Sequence, residues 1–139
     1  MRAYLLSLIF IAPTVGAMVK TACPTSLPAE SLTVRAPSGW TGYTPGSMRL
    51  TYAAMMAGPP DSMTYLVPFR QKSGKVESSS TWLFPDAGEK WLQCNYDGST
   101  AIQISKRLDD AATECTVRYA KSKFGGIASA VAECTAKRD

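Results

Sequence analysis

The chain has 139 residues, with 15 Lys and Arg against 11 Asp and Glu, a formal charge of +4, and no histidine. Without imidazole there is no Ser-His-Asp or Cys-His nucleophile and no His-containing zinc site, and the commonest acid–base group near neutral pH is missing. The basic residues are scattered rather than drawn into a stripe with stacking aromatics, which argues against a nucleic-acid partner and for a mildly basic, solvated surface.

Met1-Arg2 opens a basic start, Ala3 to Ala12 is an apolar run, and Pro13 and Val15-Gly16-Ala17 follow. These are the three parts of a secretory signal peptide, residues 1–17, which would leave Met18 as the first mature residue. The apolar run falls short of the roughly 20 residues a membrane span needs. Cys23 lies just beyond, but Lys20 stands where a lipoprotein signal wants an aliphatic residue, so a lipid anchor there is disfavoured. Residues 18–139 have the size of one domain. The expected localisation is the periplasm or the exterior, where disulfides form.

Leu32 to Arg35 alternates and predicts a short strand. Ala36 to Trp40 and Thr44-Pro45-Gly46 are turn chemistry, with Trp40 and Tyr43 between proline and glycine breakers. Met48 to Met56 predicts a strand stopped by Gly58-Pro59-Pro60-Asp61, and Met63 to Phe69 another, interrupted near its end by Pro68. Gln71 to Ser79 is polar and reads as a flexible connection or hairpin loop, and Ser80 to Phe84 as a strand.

In Trp91 to Tyr96, the residues Leu92, Cys94 and Tyr96 share a face; in Thr100 to Leu108, Ile102, Ile104 and Leu108 do. A two-residue Asp97-Gly98 turn would mix these faces. A three-residue loop, Tyr96-Asp97-Gly98, keeps them together, sets Leu92 opposite Ile102 and is the expectation. Asp109 to Thr113 is a further turn. Glu114 to Tyr119 then turns Cys115, Val117 and Tyr119 inward, and Ala120 to Gly126 closes another connection. Ile127 to Cys134 is open: Ile127, Ala130, Val131 and Cys134 form a helical stripe, whereas a hairpin centred on Phe124-Gly125 sets Cys134 opposite Cys115. The predicted fold is mostly β, a single small antiparallel domain with two disulfides whose last element is a strand or short helix.

Cys23, Cys94, Cys115 and Cys134 allow three pairings, and their spacing suits neither a metal site nor a redox centre. The hairpin favours Cys115–Cys134 with Cys23–Cys94; the rival Cys94–Cys115 would have to reach past the intervening strand. Met48, Met55, Met56 and Met63 invite a copper reading but follow no repeated motif, and core packing is preferred. Trp40 and Tyr43 read first as a lid over the apolar face, with an exposed platform for a sugar or a partner protein as the alternative, and on that alternative they are the candidate binding residues. Trp82 and Trp91 are expected in the core or at its rim, and Asp109, Asp110 and Glu114 in turn roles.

The ordered set Cys23-Pro24, Leu32-Thr33-Val34, Pro37-Ser38-Gly39-Trp40, Gly58-Pro59-Pro60, Trp82-Leu83-Phe84, Trp91-Leu92-Gln93-Cys94-Asn95-Tyr96, Thr113-Glu114-Cys115-Thr116-Val117 and Cys134 resembles a family of small exported proteobacterial proteins of unassigned function, labelled only by an enterobacterial locus tag. The resemblance implies a soluble, periplasmic, disulfide-bonded β-rich domain, and carries over no catalytic or binding residue. That family's last segment reads as a strand ending in Cys, from which the alanine-rich stretch here departs.

The leading expectation for function is a non-enzymatic binding module of the envelope, without cofactor, whose partner is an envelope or cell-wall protein. Inhibition of, or immunity to, an envelope-directed enzyme is the specific form considered. The alternatives are an enzyme using carboxylates or a Ser–Lys pair, and a methionine-based metal carrier.

Overall fold

The computed structural model describes residues 18–136; the expected signal peptide lies outside them. The strands are β1 (Met18–Ala22), β2 (Ser26–Leu27), β3 (Met48–Ala57), β4 (Arg70–Ser73), β5 (Glu77–Leu83), β6 (Lys90–Tyr96), β7 (Ser99–Arg107), β8 (Ala112–Lys121) and β9 (Ile127–Ala136). All pair antiparallel, in a five-stranded sheet ordered β1-β9-β8-β5-β4 and a four-stranded sheet ordered β2-β3-β6-β7. No α-helix occurs among the described residues.

The inner faces of the two sheets share one core. Met48, Leu50, Met55, Leu92 and Tyr96 come from the four-stranded sheet; Trp82, Val117, Tyr119, Ala130 and Ala132 come from the five-stranded one. Buried hydroxyls find backbone partners across the core. Tyr119 Oη donates to the Ala53 carbonyl at 2.7 Å and Tyr96 Oη to the Pro24 carbonyl at 2.9 Å, and burial raises both phenol pKa values. The Trp82 indole N–H donates to the Leu66 carbonyl at 2.9 Å.

The disulfides join Cys23 to Cys94 and Cys115 to Cys134. The first fixes the crossing of the chain from one sheet to the other: Cys23 N–H still bonds the Ala130 carbonyl of β9, and Ser26 already pairs with Arg49 of β3. The second joins directly opposed residues of β8 and β9. A sulfur held in a disulfide carries no acyl chain, which sets Cys23 apart from a lipoprotein cysteine.

The last element is a strand. Alanine favours helix locally, but pairing with β8 outweighs that preference. The small side chains of Ala130 and Ala132, each 1% exposed, also fit the space between the sheets.

Several expectations give way. Leu32 to Arg35 is not a strand: the short β2 pairs with the start of β3 at Met48 and Arg49, and the segment finds no ladder partner. Met63 to Phe69 makes only a single bridge, Tyr65 with Met56. It leaves one sheet (Leu66 N–H to the Met55 carbonyl) and reaches the other (Phe69 N–H to the Thr81 carbonyl), so it can follow neither. Gln71 to Ser79 is not a loose connection but most of the β4–β5 hairpin, with Ser73 opposite Ser78.

The β6–β7 loop is the two-residue Asp97-Gly98 turn, with φ of 54° and 66°, the type I′ geometry of tight hairpins. A register shift between Asn95 and Tyr96 restores the face parity that this turn alone would break. Cys94 then lies opposite Ile104, and Leu92 opposite Lys106 rather than Ile102. Strand β1 was not anticipated; it is the outer strand of its sheet and pairs with β9 from Met18–Thr135 to Ala22–Val131.

Candidate functional site

Between β2 and β3, residues 28–47 carry no strand. A 3-10 turn at Ala29–Ser31 leads in, and Leu32 packs partly against the core. Trp40 N–H bonds the Pro37 carbonyl at 3.0 Å, closing a turn in which Gly39 takes φ 84°. Gly42 approaches the Val34 carbonyl so closely that any Cβ there would collide with it, and Thr44 Oγ1 reaches the Leu32 carbonyl at 3.4 Å. These contacts fold the segment back on itself and turn Trp40 and Tyr43 outward, 78% and 76% exposed. Neither ring lids the core. Tyr43 borders two shallow hollows, one with Glu30, Leu32 and Val34, the other with Met48, Asp97 and Ile102.

A second surface lies on the solvent face of the five-stranded sheet. Its floor is hydroxyl, with Thr81 and Thr116 Oγ1 atoms 2.9 Å apart, and Phe69, Arg70, Lys72, Glu114 and Arg118 line a shallow groove around them. The strap before β4 leaves Val67 89% and Phe69 64% exposed, and Arg70 lies over the Phe69 ring at 5.7 Å. Across the same sheet runs an ion chain. Lys20 meets Glu133 at 2.9 Å, Glu133 meets Arg118 at 3.0 Å, and Arg118 meets Glu77 at 3.2 Å. Hydrogen bonds from Lys20 and Arg118 hold the Glu133 carboxyl below the usual carboxylate range, and those to Glu133 and Glu77 raise Arg118.

Several of the residues that chemistry would need have structural partners. Asp109 Oδ1 accepts the Ala111 N–H at 2.9 Å as a turn residue. Asp110 pairs with Arg107 at 2.7 Å, and that bond lowers its pKa; Glu114 is exposed on the sheet face. Lys90, buried at 3%, donates to the Gly88 and Asp110 carbonyls and lies over the Phe84 ring, a strut rather than a base aimed at a serine. The methionines do not converge: Met48 and Met55 belong to the core, Met56 is buried outside that core cluster, and Met63 is exposed on a left-handed turn. No group of three or more Cys, Asp or Glu able to hold a metal ion occurs among the described residues.

Sequence reading missed a polar cluster on the outer face of β6. Gln93 is fully buried and Asn95 8% exposed, where alternation expects wet positions. Gln93 Nε2 donates to Asn95 Oδ1 and to Tyr65 Oη, and Gln103 Nε2 also donates to Tyr65 Oη. The only signal was Tyr65 itself, one residue in a strap whose path the sequence does not show. Val67 and Phe69, on the same strap, were missed for the same reason.

Residues 45–135, most of the described chain, match the family described as type VI secretion system Tli immunity protein. The match spans the strands from β3 into β9 and three of the four cysteines, and begins just after Trp40 and Tyr43. No curated protein and no solved structure matches the chain. No helix among the described residues is long and apolar enough to cross a membrane. The match supplies a role where the motif resemblance had none, namely immunity to an effector protein: the chain belongs to the type VI secretion system Tli immunity protein family.

Proposed function

We propose that this protein is a non-enzymatic immunity protein of the periplasm, which neutralises a type VI effector by binding it. The family match over residues 45–135 carries the reading. The signal-peptide pattern of residues 1–17 and the two disulfides support a site of action outside the cytoplasm. Residues 18–139 are taken as one domain, and the two disulfides that cross-link its described part favour surfaces already shaped for a partner.

Within this reading the 28–47 segment makes the contact, with Trp40 and Tyr43 as its anchors. Exposed aromatics held on a bonded loop supply large contact area with few rotatable bonds, the character of interface hot spots. The groove beside Phe69 and Arg70 is the alternative contact, favoured by its place inside the matched stretch.

Co-expression with the effector tests the proposal, and a toxin gene beside this one would identify it. The full chain is expected to protect cells and to co-purify with the effector. A chain lacking residues 1–17 is expected to bind in vitro but not to protect. Protection without any complex, or effector breakdown abolished by one carboxylate or Ser/Lys substitution, would overturn it.

A further inference from the structure

The β4–β5 and β8–β9 turns stand side by side at one end of the five-stranded sheet. Lys121 N–H donates to the Val76 carbonyl at 2.8 Å, and Lys121 Nζ to the Gly74 carbonyl at 2.6 Å. From these tips Val76 and Phe124 project into water, 77% and 97% exposed. Gly125 and Gly126 shape the second tip at φ 90° and 76°, and a Cβ on either would meet nothing within 4 Å. The exposed Lys75, Lys121 and Lys123 lie on the same turns, and none forms an ion pair among the described residues. Glu77, the carboxylate beside them in sequence, is held by Arg118 at 3.2 Å.

We propose that these paired tips are a contact site for an anionic lipid surface. Phe124 and Val76 enter the headgroup boundary, while the three lysines lie along it and meet lipid phosphates. One exposed apolar residue would signify nothing. Here two of them, Phe124 and Val76, top adjacent bonded turns that also carry three lysines without an ion pair among the described residues. That pairing of apolar tips with positive charge points to an anionic, apolar-cored surface. The shape decides between a protein and a bilayer. Two convex turns cannot supply the roughly 800 Å² per partner that a stable protein interface buries. A bilayer boundary fits itself around whatever protrudes and takes up apolar groups to a depth of about 5–10 Å. Long lysine stems reach sideways to headgroups while the ring points inward. The contact is peripheral and reversible, because a small apolar wedge needs the electrostatic attraction to hold. It stands apart from effector binding, and either can fail without the other.

Co-sedimentation of the full exported chain with vesicles of phosphatidylglycerol or of phosphatidylcholine tests it. Binding is expected to phosphatidylglycerol alone and to weaken as salt rises. Lys75→Gln and Lys123→Gln should each weaken it roughly fivefold, and Phe124→Ser should reduce it further with Val76→Ser. Thermal unfolding checks the fold of each variant; should the Phe124 variant misfold, the two lysine variants decide. Failure to bind phosphatidylglycerol, equal binding to both vesicles, or binding indifferent to all four substitutions would overturn the proposal. So would loss of effector capture in Phe124→Ser with vesicle binding unchanged, which would assign the tips to a protein partner.

Discussion

The β8–β9 ribbon and the 28–47 segment show two ways of fixing a chain. The ribbon is held by a long ladder that is regular from Glu114 to Ala120, by a cross-strand disulfide and by a chain of ion pairs on its wet face. The segment has no ladder; two short turns, one crowded glycine and the Thr44–Leu32 hydrogen bond shape it, and it presents its aromatic rings to water. Order in the first comes from pairing and is shared by many residues. Order in the second comes from local backbone geometry, which leaves its side chains free for another molecule. A change in the framework should therefore cost stability, and a change in the segment should cost contact.

Trp82→Ala should break the framework most severely. The ring is 1% exposed and its N–H is bonded, so truncation is expected to cost about 3–5 kcal/mol in urea unfolding. The two disulfides sharpen the contrast within the framework. Cys23–Cys94 spans 71 residues and Cys115–Cys134 spans 19. Chain entropy then predicts losses of about 4 and about 3 kcal/mol when each pair is replaced by alanine. Equal losses in the same unfolding experiment would show that strain or residual structure outweighs loop length.

A smaller effect is expected from acid. Glu133 titrates below its unfolded value because Lys20 and Arg118 bond its charged form. Its contribution is full above the ordinary carboxylate range near pH 4 and fades as pH falls through the lower folded value. Melting curves of Glu133→Gln and the parent protein should therefore converge on acidification. Divergence would mean that the bonds from Lys20 and Arg118 do not stabilise the charged form of Glu133. Smallest of all on stability, Trp40→Ala and Tyr43→Ala should stay within about 0.5 kcal/mol of the parent, as exposed positions do. The same variants should weaken effector capture by at least about 2 kcal/mol if they are its anchors, which titration against the effector would read.

What the sequence made legible follows from the range of the forces involved. Alternation identified β6 and β8, because one face of each is tied to the core within a few residues of chain. The register that brings Cys134 to Cys115 could be counted across a short turn. Strand β1 escaped notice because its partner lies at the far end of the chain. The segments at Leu32 and Met63 had strand-like patterns but no sheet edge to join along their length. The parity of the β6–β7 hairpin depends on a bulge that no side-chain pattern announces. For the surface, aromatic residues between glycine and proline read first as a lid over the apolar face, and that reading is overturned because the Pro37–Trp40 turn and the packing of Gly42 on Val34 fold the segment back and leave both rings exposed.

The order of the four cysteines bears on how the molecule matures. The first pairs with the second and the third with the fourth. On the export proposed above, a chain threaded across the membrane with its N-terminus leading would deliver Cys23, then Cys94, to the oxidising side before either later thiol arrives. Oxidation in order of emergence thus yields the native bonds directly, with no wrong pair to be reshuffled. The β1–β9 ladder, by contrast, joins the leading end of the described chain to its trailing end and can close only after translocation is complete. The covalent frame can be assembled in passage, while the outermost strand of the larger sheet waits for the last residues to arrive.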